Sequence, residues 1–161
     1  MITKDDFAKM LSGELDILSR QTEGLTHQES LLQPQPGGNC LNWVMGHLVV
    51  NLLDILKALG GVAPSNLPEL DHYGFGSEPV RGNEPGVIEL PVLVDAYALL
   101  TKTITDRLAQ MSETDFDQQI EFWQGQSRRG YVAFFYFFHN TYHIGQLEQL
   151  RNLAGRTEKV I

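Results

Sequence analysis

A single cysteine, Cys40, leaves no internal disulfide to staple the chain and suits a reducing cytoplasm. No apolar run reaches the roughly 20 residues that a spanning helix needs. The opening "MITKDDFAKM" also lacks the apolar segment of a signal peptide. The expectation is a cytoplasmic protein with no membrane partner. Basic residues are scarce as well: 12 Lys+Arg against 20 Asp+Glu give a formal charge of −8. Affinity that rests on phosphate contacts or anionic headgroups is disfavoured by that sign, so no nucleic-acid partner is expected either. Missing too are a G-x-S-x-G elbow, a Walker A loop, a dinucleotide fingerprint and a convincing carboxylate pair. The short "YGFGS" at 73–77 reads as turn chemistry and not as a phosphate loop.

What is present is helical periodicity. At 161 residues the chain, 1–161, fits a single domain that can bury a full core. Thr3 serves as N-cap for a first helix over 3–25, with Phe7, Leu11, Leu18 and Leu25 along one stripe. "QPQPGG" at 33–38 is a loop, and Asn39 is placed to cap a second helix over 40–59 that stops at Gly60-Gly61. Prolines and glycines crowd 60–89, which predicts a long loop without regular elements, of a length that is often functional. Pro91 suits the first turn of a third helix to Met111, and a fourth runs over 131–154 between Gly130 and Gly155. Between them "QQIEFWQGQ" reads as a short extended piece ending in a turn. Four helices with little strand signal make an all-α antiparallel four-helix bundle, with its long loop between helices two and three.

Into this frame fall His139 and His143, four residues apart and therefore stacked on one face of the last helix. A stripe through Val132, Phe135, His139, His143, Gln146, Leu150 and Leu153 follows the apolar period, while Asn140, Glu148, Arg151 and Asn152 fall elsewhere. Both imidazoles are thus expected to point inward. On the second helix His47 shares a face with Val44, Leu48, Asn51 and Ile55. Three buried imidazoles need many hydrogen-bond partners, and one divalent ion bound by all three answers that demand at once. Imidazole suits Zn, Ni, Cu and Fe, and three nitrogens with open positions describe a catalytic shell better than a closed structural one.

"HNTYHIGQLEQLR" at 139–151 together with "NWVMGHL" at 42–48 resembles the DinB/YfiT-like family of four-helix-bundle metalloproteins, a likeness that covers helices two to four. The resemblance implies that His47, His139 and His143 hold one divalent ion such as nickel or zinc, often in a homodimer. It also implies activity as a thiol S-transferase or isomerase using a low-molecular-weight thiol on a small-molecule substrate. Many relatives carry an acidic residue just after the first histidine of the pair, where this chain has Asn140.

Other residues are read more plainly. Gln146 either reaches a metal water or substrate or makes a polar contact between helices. Tyr142 and Trp43 pack the core. His72 is a surface histidine of the long loop, with covering the open side of the metal as its other reading. His27 decorates a helix end in solvent. Cys40 is a small buried side chain, or else a resident thiol. The run "FFYFF" at 134–138 is core and subunit interface. Two functions follow: a metal-dependent transferase acting on small electrophiles, in detoxification or the stress response, or a non-enzymatic metal or small-ligand binding protein on the same bundle.

Overall fold

A computed structural model describes residues 2–160. Among them the chain is mostly helical: α1 (Lys4–Thr22), α2 (His27–Ser30), α3 (Leu41–Ala58), α4 (Leu90–Gln110), α5 (Glu113–Phe116) and α6 (Arg129–Asn152), with a hairpin of β1 (Gln119–Phe122) and β2 (Gly125–Arg128) before α6. The four long helices close a ring in which α3 lies between α4 and α6, and α1 touches the same two from the other side.

Local chemistry sets the ends. Thr3 caps α1 in a reciprocal box with Asp6, satisfying backbone donors that the first turn leaves free. The same device starts α2 with Thr26 and Glu29, and α5 with Ser112 and Asp115. Gly60 adopts a φ of 68° and closes α3 in a Schellman turn, its N–H donating to the Lys57 carbonyl and that of Gly61 to the Leu56 carbonyl. Pro91 sits in the first turn of α4, where its missing N–H costs nothing. Asn39 is not the cap of α3; Cys40 holds that position and makes no side-chain cap bond. The segment 60–89 also contains one regular element, a 3-10 turn at Asp71–Tyr73. In the extended piece, Gln119 pairs with Arg128 and Phe122 with Gly125 in antiparallel register, leaving Trp123 in the connection at a left-handed φ of 52°.

The core is built from Phe7, Leu11 and Leu18 of α1, Val44, Leu48, Leu52 and Ile55 of α3, Leu93, Tyr97 and Leu100 of α4, and Phe137, Ile144 and Leu147 of α6. The buried face of α6 is not the stripe drawn through the histidines. Val132 and Leu150 of that stripe are buried as expected, but the face between them runs through Ala133, Phe137, Asn140, Ile144, Leu147 and Arg151, whereas His139 and His143 are half-buried beside it and Leu153 is exposed. Asn140 is 0% exposed, and its amide lies close enough to the Tyr97 hydroxyl to act on that group's pKa without making a well-formed hydrogen bond. Nearby, α1 contributes a buried carboxylate. Tyr97 Oη donates to Glu14 Oε2 at 2.9 Å, and Thr141 Oγ1 lies 3.1 Å from Glu14 Oε1. Burial without a cationic partner pushes the Glu14 carboxyl up to about 7, against the lowering effect of both hydroxyls. None of the described helices is long and apolar enough to cross a membrane.

Candidate metal centre

The segment Asn42–His47 places three functional side chains and one glycine on α3 by helical spacing alone. Asn42 and Gly46 lie one above the other, as do Trp43 and His47. Gly46 is where Tyr73 packs: a Cβ there would overlap the phenol ring. Tyr73 is fully buried, its hydroxyl donating to Asn42 Oδ1 at 3.0 Å and accepting from the Ile88 N–H at 2.8 Å. Asn42 Nδ2 in turn donates to the Ile88 carbonyl at 2.9 Å. These bonds pin the middle and the C-terminal end of the long loop onto α3, so the Tyr73 carbonyl meets His47 Nδ1 at 2.9 Å. The Trp43 indole stacks on the His47 ring at 4.9 Å and 15°, and its N–H donates to Ser77 Oγ at 3.1 Å.

Across the interface with α6 the triad comes together. His47 Nε2 and His143 Nε2 each lie 3.1 Å from His139 Nε2. A carbonyl can only accept, so the Tyr73 contact assigns the His47 proton to Nδ1 and leaves its Nε2 with a lone pair. The Gln146 Oε1 contact at 2.8 Å does the same for His143. Two lone pairs therefore aim at His139 Nε2, which carries at most one proton when neutral. Hydrogen bonding within the cluster cannot satisfy all three nitrogens, and a cation among them can. Burial holds the His47 and His139 pKa values below the usual imidazole value, and their mutual repulsion with His143 adds to this. That favours the neutral ligand form. The donor set fits a divalent ion, and the three ligand atoms lie within 4.8 Å of one another.

His47 and His139 also line a cavity of about 360 Å³ with Val50, Asn51, Asp54, Phe75, Trp123, Phe135 and Tyr136. The other candidates divide around it. Gln146 orients His143, and Trp43 is both buried and stacked on a triad ring. His72 is an exposed loop residue outside the cluster, and the loop reaches the cavity through Phe75 instead. Tyr142 is not core: it is 64% exposed, with its ring edge toward His143. His27 is not solvent decoration, because its ring is largely buried and Nδ1 accepts from the Leu90 N–H at 3.3 Å. Cys40 is buried, its thiol facing the Val80 carbonyl at 3.5 Å and held above its usual pKa by desolvation. Of the aromatic run Phe137 is core, with Phe134 and Tyr136 packed against it; Phe135 and Tyr136 line the cavity and Phe138 is exposed. Asn140 is turned into the core toward Tyr97 and, among the described residues, makes no hydrogen bond to a triad histidine.

Tyr73 and Asp54 were not singled out by sequence. The signal for Asp54 was its place seven residues after His47 on the same helical face; for Tyr73 it was a glycine one turn from an aspect of α3 otherwise filled with large side chains. Gly46→Ala is expected to displace Tyr73, lowering stability by about 1–3 kcal/mol as an overpacked core does. Metal affinity should fall with it, since His47 loses its orienting carbonyl. Urea denaturation and metal titration of the variant check both.

No curated protein matches the sequence. Among solved structures, the chain is similar to a conserved protein from Enterococcus faecalis at 19% identity and a TM-score of 0.73, over 95% of this chain and 97% of that one, a likeness of fold. The sequence model of the DinB superfamily matches residues 10–147, and the chain belongs to that superfamily.

Proposed function

We propose that His47, His139 and His143 hold one divalent ion, nickel or zinc, and that the protein transfers a low-molecular-weight thiol to small electrophiles. The observation that supports this is the convergence of three Nε2 atoms beside an open cavity of about 360 Å³. That volume lies in the range of small-molecule sites, roughly 300–1,000 Å³. An ion held there would act as a Lewis acid that lowers the pKa of a coordinated thiol. The chain's own residues fix the ligand rings through the Tyr73 carbonyl and Gln146, shield one side with Trp43, and line the cavity without a serine, cysteine or lysine. Reaction therefore depends on an added thiol. We read the fold as a single antiparallel four-helix bundle in a cytoplasmic protein. The exposed Tyr131, Phe138 and Tyr142 on the outer side of α6 support a homodimer, and the charge of −8 speaks against nucleic acid.

The test pairs metal-loaded protein with a panel of biological thiols and a chlorinated nitrobenzene. Turnover should require both thiol and metal and survive Cys40→Ala. Equal rates without metal, or loss in the Cys40 variant alone, would contradict the mechanism. Stoichiometric metal with no acceleration by any thiol would favour the binding-protein reading.

A further inference from the structure

The far end of the triad's cavity poses a separate question. Asp54 is half-buried there and, among the described residues, makes no hydrogen bond or ion pair. Asn51, one turn nearer His47, is 4% exposed, and its Nδ2 has no partner. Apart from Val50 and the two histidines, the remaining wall is aromatic: Phe75, Trp123, Phe135 and Tyr136. Phe75 is 97% exposed and Trp123 77% exposed, an unusual placement for large rings. Trp123 takes the left-handed backbone that glycine or asparagine ordinarily occupies, and its ring meets Phe135 edge-on at 5.1 Å. Neither lysine nor arginine lines the cavity. Lys57, three residues on and outside this cavity, attracts the Asp54 carboxylate without forming an ion pair with it. Aromatic faces around a carboxylate with no direct partner form the chemistry that recognises an organic cation.

We propose that the triad's cavity takes a ligand bearing an ammonium group, held between Asp54 and the rings of Trp123, Phe135 and Tyr136. The proposal rests on reading this cavity as the substrate site, and it names the substrate class. Seven residues of helix separate His47 from Asp54, so the ammonium lies roughly 10 Å along α3 from the triad. At that distance it can sit clear of a metal ion while the reacting end of the same molecule reaches the histidines. Asn51 Nδ2 lies between and is available to a carbonyl or hydroxyl of the ligand. A neighbouring cleft shares Asp54, Trp123 and Tyr136 but contains Lys57, Glu121 and Arg129. Arg129 is occupied there, donating to the carbonyls of Ala58 and Asp115. The protein's negative charge favours approach of a cation.

Calorimetric titration of the full chain, with and without metal, tests this using three probes of one shape. They are choline, its uncharged isostere neohexanol and the tert-butylacetate anion. Choline should bind at least about tenfold more tightly than neohexanol. Asp54→Asn should erase that preference while metal content stays unchanged; Trp123→Leu should weaken choline without creating a preference for the anion. Choline preference that persists in Asp54→Asn, equal binding of choline and neohexanol, preference for the anion, or no binding of any probe would each overturn the proposal. His143→Ala separates the two readings, because His143 belongs to the triad but does not line the cavity: its metal is expected to be lost and its choline preference kept.

Discussion

His143→Ala is expected to take bound divalent metal from one equivalent to none, measured by elemental analysis of protein purified without a metal-affinity tag. The side chain is half-buried at the edge of the core, so the helix should keep its packing and the loss should be local. Two of the three Nε2 lone pairs are created by partners on the opposite ring nitrogens, the Tyr73 carbonyl for His47 and Gln146 for His143. Gln146→Ala should accordingly retain the metal but weaken it by roughly 10–100-fold, the usual cost of losing a group that orients a ligand. Undiminished metal in the His143 variant would remove the triad assignment altogether.

Glu14→Gln should stabilise the protein at pH 8 and change little at pH 4.5. The folded carboxyl titrates near 7, against 4.5 as its ordinary value. Because the folded value is raised, the folded state keeps a proton that the unfolded state releases, and stability falls as pH climbs from about 4.5 to about 7. Above that both states are ionised and the loss is complete, of the order of 3 kcal/mol. Glutamine removes the ionisation and keeps the bonds: its oxygen can accept from Tyr97, and its amide can donate to Thr141 Oγ1, whose own hydroxyl donates to the Phe137 carbonyl at 3.0 Å. Urea denaturation of both proteins at the two pH values gives the difference. An unchanged slope of stability against pH would show that Glu14 is not the group responsible.

The long helices were legible because their amphipathic period is strong and their ends carry local signals, Thr3, Pro91 and the glycine pair after α3. Rotation of the last helix was harder. The stretch from Tyr131 to Phe138 is apolar almost all round, so periodicity does not distinguish the core face from the site face. Asn140 and Arg151, which are buried, look like solvent residues. The histidines could be paired in sequence by spacing within α6, but their nearness to His47 is tertiary. Least legible was the role of the long loop. Its hold on His47 passes through a backbone carbonyl, which every residue possesses and which no motif marks. The asparagine and glycine that fix that carbonyl in place appear in the sequence only as ordinary members of a helix.

The contact between His47 and His139 joins residues 92 apart in the chain. The chain between them must be made before the two rings can meet, so the pair forms only after α6 has been synthesised and docked. An ion held by the triad would be acquired only after α6 docks, and it would fasten α6 onto α3. Anything that binds the folded chain and not the unfolded one resists unfolding by mass action. If the triad holds such an ion, cells starved of metal would hold a form whose α6 is freer to leave, and its turnover by proteases would report metal supply.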